Sequence, residues 1–271
     1  MDKHELAQQF QEYFRPEVAV SPSMKERTFR LRYEVYCREF GFEQEEDCPG
    51  GLERDEYDAT ARHCALIHKP TGMSAGTVRL IRSAPSHGAL GLLPLQRFCD
   101  DSLDHPALHP ALMPQAECCE ISRLAVPQAF RRRAGERYTP WGAAPGATFS
   151  EREMRTFPLI AVSLFLAAAA LVAMNCRPHV FVMMEPRLAR MLSGTGLRFV
   201  QIGRLTHYHG SRAGFYIRHE QTAVDAMRPE FKALYDDILQ TLSGAPANTP
   251  APAAVHPEVR ASARSLPWPA L

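Results

Sequence analysis

The sequence lacks any Cys-x-x-Cys pair, although it contains seven cysteines. These are Cys37, Cys48, Cys64, Cys99, Cys118, Cys119 and Cys176. An odd number of cysteines without that spacing is typical neither of a zinc site nor of a disulfide scaffold. We therefore predict reduced thiols in a cytoplasmic protein, and we expect no metal site.

Net charge is also nearly absent, since the formal charge at pH 7 is +1. A chain of this charge has no overall electrostatic field that would favour nucleic acid. The clearest basic segment is short and consists of Arg131, Arg132 and Arg133. The opening segment, MDKHELAQQFQEYF, is polar and lacks the apolar centre of a signal peptide. The sequence also shows no internal repeat.

Only one segment approaches the length of a membrane-spanning helix. Residues 157–174, FPLIAVSLFLAAAALVAM, contain 18 positions without a charge. Many of these residues are alanine, and a short apolar strand pattern follows directly. This arrangement is typical of a helix buried in an α/β unit. We predict a buried helix here, and a membrane span is the alternative.

The periodicity of apolar residues predicts an ordered series of strands and helices. Strands are predicted at 15–20, 61–69, 74–83, 117–126, 178–184, 197–203 and 213–219. Helices are predicted at 23–42 with Ser23 as the cap, 151–175, 186–194 and 225–242, and 84–116 is expected to be irregular. This order indicates one α/β domain, 1–243, around a mixed sheet with a parallel crossover in its second half. The Ala- and Pro-rich tail, 244–271, is predicted to be disordered.

Charged side chains interrupt the apolar pattern at three places. These are the acidic loop 53–58, Arg79 in the middle of a strand, and the segment Glu120-Ile121-Ser122-Arg123. Each has a simple alternative explanation: a solvated loop, an edge strand, and an internal ion pair. Strand alternation predicts that Glu120 and Ser122 face one way and Arg123 the other, unless a β-bulge redirects one of them.

Taken together, the three segments predict a site for a small anionic substrate. Arginine matches the geometry of a carboxylate with two parallel donors. A carboxylate close by is a candidate general base, a role that typically contributes 10²–10⁴ in rate.

Four motifs in the same order resemble a known group of enzymes. LRYEVY, ERDEYD, GTVRL and CEISRLAV are similar to motifs of acyl-homoserine-lactone synthases and N-acyl amino acid synthases, which have the GNAT acyltransferase fold. RLRYEVYCREFGFE, GLERDEYD and GRLTHYHGSRAGFYI are most similar to the acyltransferases associated with the PEP-CTERM/exosortase system. The resemblance extends from about residue 14 to about residue 219.

The resemblance implies a GNAT-like α/β fold whose central mixed, twisted sheet has a splayed cleft and is flanked by helices. It implies an N-acyltransferase that moves a long-chain acyl group from the phosphopantetheine of acyl carrier protein to the amino group of an amino acid or related amine. No bound cofactor is implied. The bulge in the strand 120–126 would direct a backbone N–H at the thioester carbonyl.

The resemblance also implies roles for particular residues. Among these, Glu120 is our leading candidate for the base, directly or through water, and Ser122, its neighbour on the same face, is the second catalytic candidate. The implied substrate-binding residues are Arg32, Asp55, Asp58, Arg79 and Arg123. We expect the apolar helix to line an acyl tunnel together with Phe181, Met183 and Met184, since methionine suits a surface that fits flexible chains.

Two departures from the family pattern bear on the substrates. Relatives that use CoA carry a glycine-rich loop whose backbone amides hold the pyrophosphate. Here QAFRRRAG offers one glycine, Gly135, so we expect acyl carrier protein as the partner, with Arg131–Arg133 as its docking patch. A solvated basic loop is the alternative, and peripheral membrane contact stays open. Phe42 occupies the region where lactone-forming synthases carry a tryptophan, which favours an N-acyl amino acid as product.

Two other functions are kept as alternatives. The first is synthesis of an acyl-homoserine lactone. The second is a non-catalytic GNAT-like regulator that binds a lipid or a carrier protein. The intact set of acidic groups favours catalysis, because a binding module needs neither Glu120 nor the pair Asp55 and Asp58.

Overall fold

The structure is a computed structural model that describes residues 3–131 and 149–244. Within these residues the chain forms eight strands, which build one sheet with a small added hairpin. The strands are β1 Phe14–Val18, β2 Arg62–His68, β3 Ser74–Arg82, β4 Cys118–Ala125, β5 His179–Met184, β6 Val200–Gln201, β7 Thr206–His207 and β8 Ser211–Arg218. All but one of the predicted strands therefore form over most of their length.

The same described residues form nine α-helices. They are α1 Lys3–Tyr13, α2 Pro22–Tyr33, α3 Pro94–Cys99, α4 Gln128–Arg131, α5 Glu151–Thr156, α6 Pro158–Met174, α7 Pro186–Ser193, α8 Gln221–Asp225 and α9 Pro229–Ser243. Helix α2 continues into a π-helical segment, Glu34–Glu39. The chain between β3 and β4, predicted to be irregular, forms the short helix α3 and four short 3₁₀ helices joined by loops.

The sheet has the order β1-β2-β3-β4-β5-β8-β6, and β7 pairs with β8. Strands β4 and β5 run parallel, and the other pairs are antiparallel. The connection between the two parallel strands contains α6, as a parallel crossover requires. The predicted mixed α/β sheet is therefore confirmed. The crossover joins β4 and β5, which lie in the interior of the sheet.

Helix α6 covers one face of this sheet, where it packs against β2, β3, β4 and α9. Most of its side chains are buried. At Gly76 on β3, an added Cβ would lie 2.6 Å from Cδ1 of Leu164, so the helix and the strand approach too closely for any larger residue. The prediction of a buried helix is confirmed. In the part of the chain that the structure describes, no helix is both long and apolar enough to cross a membrane.

Strand β4 departs from regular pairing on both of its sides. On the β3 side, Thr77 pairs with Ala125 and Arg79 with Ser122, so β4 carries one extra residue between these pairs. This is a β-bulge, and within it Arg123 has a φ of +51°. On the β5 side, pairing ends where Ile121 faces Val182, although both strands continue. The two parallel strands therefore separate beyond this point.

Two predicted boundaries were wrong. The second helix is capped by Ser21 rather than Ser23, since the Ser21 hydroxyl accepts a hydrogen bond from the Met24 amide at 3.2 Å. Pro22 lacks an N–H and suits the first helical position, so the cap falls on the residue before it. The strand predicted at 197–203 is only two residues long. The predicted tail, 244–271, lies outside the described residues apart from Gly244.

Candidate active site

A cleft of about 280 Å³ opens on the face of the sheet opposite α6, near the point where β4 and β5 separate. Side chains from β3, β4, β5, the acidic loop and the β7–β8 hairpin line it. Its charged or polar lining residues are Tyr36, Glu43, Asp55, Glu56, Tyr57, Arg79, Glu120, Ser122, Arg123, Tyr208, His209 and Arg212. Five of the seven residues predicted for catalysis and substrate binding are in this lining, and Arg32 and Asp58 lie beneath it.

Arg32 forms the base of the site, where its side chain is fully buried. Its Nε donates to Glu53, and its two terminal nitrogens donate to the two oxygens of Asp58 at 2.8 and 2.9 Å. Burial alone would lower the pKa of Arg32, but the charges of Asp58 and Glu53 outweigh it and raise this pKa above its usual value. A buried guanidinium is tolerated only with such partners, so Arg32 fixes the acidic loop to α2.

The acidic loop presents its carboxylates through a short 3₁₀ turn, Glu56–Ala59. The Asp55 carboxylate accepts from the Tyr57 amide at 3.0 Å, and the Asp58 carboxylate accepts from the Asp55 amide at 2.8 Å. This reciprocal capping holds both carboxylates in place. Burial would raise the pKa of Asp58, but Arg79 and Arg32 outweigh it and hold that pKa well below its usual range. The loop is therefore not a solvated face.

Arg79 connects this loop to the sheet. Its Nε donates to the Ser122 hydroxyl at 3.1 Å, and one terminal nitrogen donates to both Asp55 and Asp58 at 2.6 Å. The side chain is 1% exposed, and β3 lies between β2 and β4. The alternative that Arg79 occupies an edge strand with its guanidinium in water is therefore wrong.

Arg123 faces the cleft together with Glu120 and Ser122, so of the two arrangements predicted for this strand the one with a β-bulge is confirmed and simple alternation is wrong. The physical reason is the bulge, whose extra residue and positive φ redirect this side chain. Arg123 lies 3.1 Å from a Glu53 oxygen, 3.3 Å from Asp55 and 3.4 Å from Glu43. It therefore holds the acidic loop against β4.

Glu120 differs from the other carboxylates of the site. Its side chain is buried, and one oxygen accepts a hydrogen bond from the Leu95 amide at 2.8 Å. No described basic side chain forms an ion pair with it. Burial raises the pKa of Glu120 to about 8, although the Leu95 amide and the charges of Arg79 and Arg123 oppose the increase. A carboxyl group with a pKa near neutrality, facing a cleft, is the arrangement expected of a general acid or base.

The β7–β8 hairpin contributes residues that the sequence reasoning missed, namely Tyr208, His209 and Arg212. The ring of His209 lies 3.5 Å from a Glu43 oxygen, and burial lowers the pKa of His209 to about 4. The signal was present in the sequence, because HYHGSR places several polar side chains at a tight turn between apolar strands.

The residues predicted for the acyl tunnel divide between the two faces of the sheet. Met183 lines the cleft and Phe181 packs beneath it, whereas Met184 packs into the core on the α6 side. The three side chains alternate along β5, so a single cavity on one face cannot contain them all. Their proposed contact with an acyl chain stays a prediction.

The predicted docking patch is described only at Arg131. Its Nε donates to the Val126 carbonyl at 2.8 Å, its terminal nitrogen pairs with Glu39, and its guanidinium lies 4.7 Å from the centre of the Phe40 ring. Arg131 is therefore engaged within the fold. Arg132 and Arg133 lie outside the described residues.

Comparison with known proteins supports the fold. The family model described as Acetyltransferase (GNAT) domain matches residues 31–141. No curated protein matches the sequence.

Three solved structures show the extent of the similarity. The AHL synthase LasI is 14% identical with a TM-score of 0.54, and the match covers 79% of this chain and 94% of LasI. TofI, in a ternary complex with an inhibitor and MTA, is 18% identical with a TM-score of 0.52, covering 81% and 99%. MesI, a CoA-dependent acyl-homoserine lactone synthase, is 16% identical with a TM-score of 0.52, covering 82% and 95%. The predicted GNAT-like fold is confirmed.

Proposed function

We propose that this protein is an N-acyltransferase that moves a long-chain acyl group from acyl carrier protein to the amino group of an amino acid or related amine. The observation that carries the proposal is Glu120, a buried carboxyl group with a raised pKa that faces the cleft beside the paired charges of Arg79, Arg123 and Asp55. A site with only a structural role would not need a buried carboxyl group whose pKa is raised and which has no ion-pair partner among the described residues. The GNAT-like fold is consistent with acyl transfer as the reaction.

Glu120 has a pKa of about 8, well above that of an ordinary carboxyl group, so its charged form is a stronger base toward an ammonium group than a normal glutamate. In its charged form it accepts a proton from the acceptor ammonium, directly or through one water molecule. The free amine then attacks the thioester carbonyl and forms a C–N bond. The attacking nitrogen then carries one proton too many and releases it to solvent. When the C–S bond breaks, the thiolate leaves and takes up the proton that Glu120 holds. Each turnover therefore returns Glu120 to its starting state.

The thioester is proposed to lie at the separation of β4 and β5. Beyond Ile121 and Val182 the two strands no longer pair, and the thioester is proposed to lie in the gap between them. Glu120 and Ser122 face the cleft, while the intervening Ile121 faces the α6 side. A backbone N–H of the bulged strand would bind the developing oxyanion, an interaction typically worth roughly 2.7–4 kcal/mol.

The acyl chain is proposed to enter an apolar cavity on the α6 side. Ile121 and Val180 of the sheet, Phe165 and Ala168 of α6, and Phe199 line it, and it exposes almost no polar surface. The cavity is small, about 30 Å³, and Ile121, where the pairing of β4 with β5 ends, lines it. The proposal therefore requires the cavity to widen when a long acyl chain enters from the thioester.

Acyl carrier protein is the proposed donor because QAFRRRAG lacks the glycines of a pyrophosphate loop. Since Arg131 is engaged with Glu39, the proposed docking charges are those of Arg132 and Arg133. MesI is described as CoA-dependent, so CoA is the donor against which the carrier must be tested. The association with an exosortase system, which the motifs suggested, also belongs to this proposal.

An acyl-homoserine lactone synthase is the second candidate, since LasI and MesI are described as such synthases and TofI binds MTA. Such an enzyme would use S-adenosylmethionine as acceptor and release methylthioadenosine. Phe42 lines the cleft at the position where the resemblance implies a tryptophan in lactone-forming enzymes. This residue favours an amino acid acceptor.

A single reaction separates these functions. The purified full chain is incubated with acyl carrier protein bearing a C16 acyl group, the twenty amino acids and S-adenosylmethionine, and the products are identified by mass spectrometry. An N-acyl amino acid supports the proposal. An acyl-homoserine lactone with methylthioadenosine supports the second candidate. Free carrier thiol without an acylated amine, or no consumption of the thioester, contradicts both.

A further inference from the structure

Arg212 is a cation in the cleft whose charge no described residue balances. It lies on β8, and its guanidinium carbon is 5.9 Å from the centre of the Phe42 ring. Its Nε is buried and has no hydrogen-bond partner among the described residues. The salt bridges of the described residues include none to this side chain.

The other arginines in the same lining are fully engaged. Arg79 bonds to Asp55 and Asp58, and Arg123 contacts Glu43, Glu53 and Asp55. A buried donor without a partner costs free energy, and native structures rarely retain one without a purpose. An anionic oxygen of a ligand would satisfy Arg212, and a guanidinium held against an aromatic ring is well placed to bind a carboxylate with two parallel bonds.

The other side chains of the cleft include carboxylates, which suit a positively charged group of a ligand. Glu43 and Asp55 contribute carboxylates that are partly exposed to it, and Glu120 faces the same space. A small molecule with an ammonium group at one end and a carboxylate at the other would match both charges of the cleft. We propose that Arg212 binds the α-carboxylate of the acceptor, so that the acceptor is an α-amino acid with a free carboxylate rather than a simple amine. This inference rests on the proposed function.

The experiment compares acceptors and variants in one matrix. Whichever amino acid is acylated is tested beside its α-amide and its decarboxylated amine, with wild type, Arg212→Gln and Arg212→Lys. For wild type, we expect kcat/KM to be about 10- to 100-fold lower with the amide and the amine. Arg212→Gln should lose a similar factor with the free acid, mainly through KM, and almost nothing with the amide. Arg212→Lys should recover part of this loss in kcat/KM, because lysine keeps the positive charge but cannot donate two parallel hydrogen bonds to a carboxylate.

Arg218→Gln is the matched control, because Arg218 lies on the same strand, is largely exposed and pairs with Glu220 outside the cleft. It should behave as wild type with all three acceptors. Equal use of acid and amide by wild type would overturn the proposal while leaving acyl transfer intact. A change confined to the KM of the acyl-phosphopantetheine donor would also overturn it, since Arg212 would then bind the donor phosphate.

Calorimetric titration of the full chain with each free amino acid and with S-adenosylmethionine gives a measurement that needs no turnover. If binding depends on both the carboxylate and Arg212 but no acyl transfer occurs, the carboxylate site stands and the proposed reaction fails. If none of these α-amino acids binds, the proposal is wrong. If Arg212→Gln does not fold, the comparison of acid and amide on wild type still decides the question.

Discussion

Arg79 and Ser122 face each other across β3 and β4, and the arginine Nε donates to the serine hydroxyl at 3.1 Å. This pair is the last regular one before the bulge that redirects Arg123. The same guanidinium reaches Asp55 and Asp58, so one side chain ties the acidic loop to the strand that carries Glu120. Ser122 is therefore in direct contact with Arg79, and its catalytic role stays a prediction.

Replacing Arg79 with lysine should harm the protein although the charge is kept. A single ammonium group cannot reach the serine and both aspartates with the geometry of a guanidinium. We expect a loss of about 1–3 kcal/mol in the free energy of unfolding, measured by urea denaturation, and a clear fall in kcat/KM. Arg82→Lys, on the same strand and partly exposed, should change little. Normal stability and turnover of Arg79→Lys would contradict the anchoring role.

Replacing Glu120 with glutamine should lower turnover by about 10²-fold or more, because the variant cannot accept a proton. In wild type, kcat/KM should rise with pH until the carboxyl group is fully charged, with an apparent pKa near 8. The variant should lose this rise. A folded Glu120→Gln enzyme with near-normal turnover would exclude Glu120 as the base.

Glu120→Gln should also change the free energy of unfolding, which can be measured without any assay of activity. The pKa of Glu120 is about 8 in the folded protein and 4.5 ordinarily, so the folded state binds more protons between these pH values. Wild type therefore loses stability from this group as pH rises from about 4.5 to 8. A glutamine side chain does not titrate in this range, so the variant does not lose stability in this way. Relative to wild type, Glu120→Gln should gain several kcal/mol across this window, measured by unfolding at pH 5 and pH 8.5.

The bulge can be tested by comparing two variants at Arg123. Arg123→Gly and Arg123→Ala remove the same ion pairs, so their difference reports only the backbone. Because residue 123 has a φ of +51°, the Arg123→Gly protein should be more stable than the Arg123→Ala protein by about 1 kcal/mol. At Leu124, which is not among the described residues with a positive φ, the order should reverse. The same order at both positions in urea denaturation would argue against the bulge.

The sequence predicted those parts of the site that local patterns specify. Arg79 and Glu120 were found because charged groups in apolar strands need partners, and the strand order followed from periodicity. The direction of Arg123 could not be predicted, since the bulge arises from the register between β3 and β4. Arg212 could not be singled out in the sequence, because its interest comes from the lack of a hydrogen-bond partner for its Nε among the described residues. That is a property of the folded cleft and not of the local sequence.

The acyl cavity makes a prediction about chain length. Ala168 lies on α6 and lines this small cavity, so Ala168→Leu should close it and shift the products toward shorter acyl chains. Ala173→Leu, later on the same helix and outside the cavity lining, is the control. Chromatography with mass detection of products from a mixture of C8 to C16 donors measures the shift. An unchanged distribution from a stably folded Ala168→Leu variant would place the acyl chain elsewhere.

The donor assignment leads to a prediction about salt. Attraction between arginines and an acidic carrier mainly raises the rate of encounter and is screened by ions. Since Arg131 is engaged with Glu39, the informative variant is Arg132→Ala with Arg133→Ala, and Arg131 is kept. We expect kcat/KM for acyl carrier protein to fall about tenfold at low salt and much less at high salt. Turnover of an acyl-pantetheine, which has no acidic surface, should stay the same. Equal losses with both donors would mean that these arginines act on the cleft itself, and efficient use of acyl-CoA without preference for the carrier would reject the donor assignment.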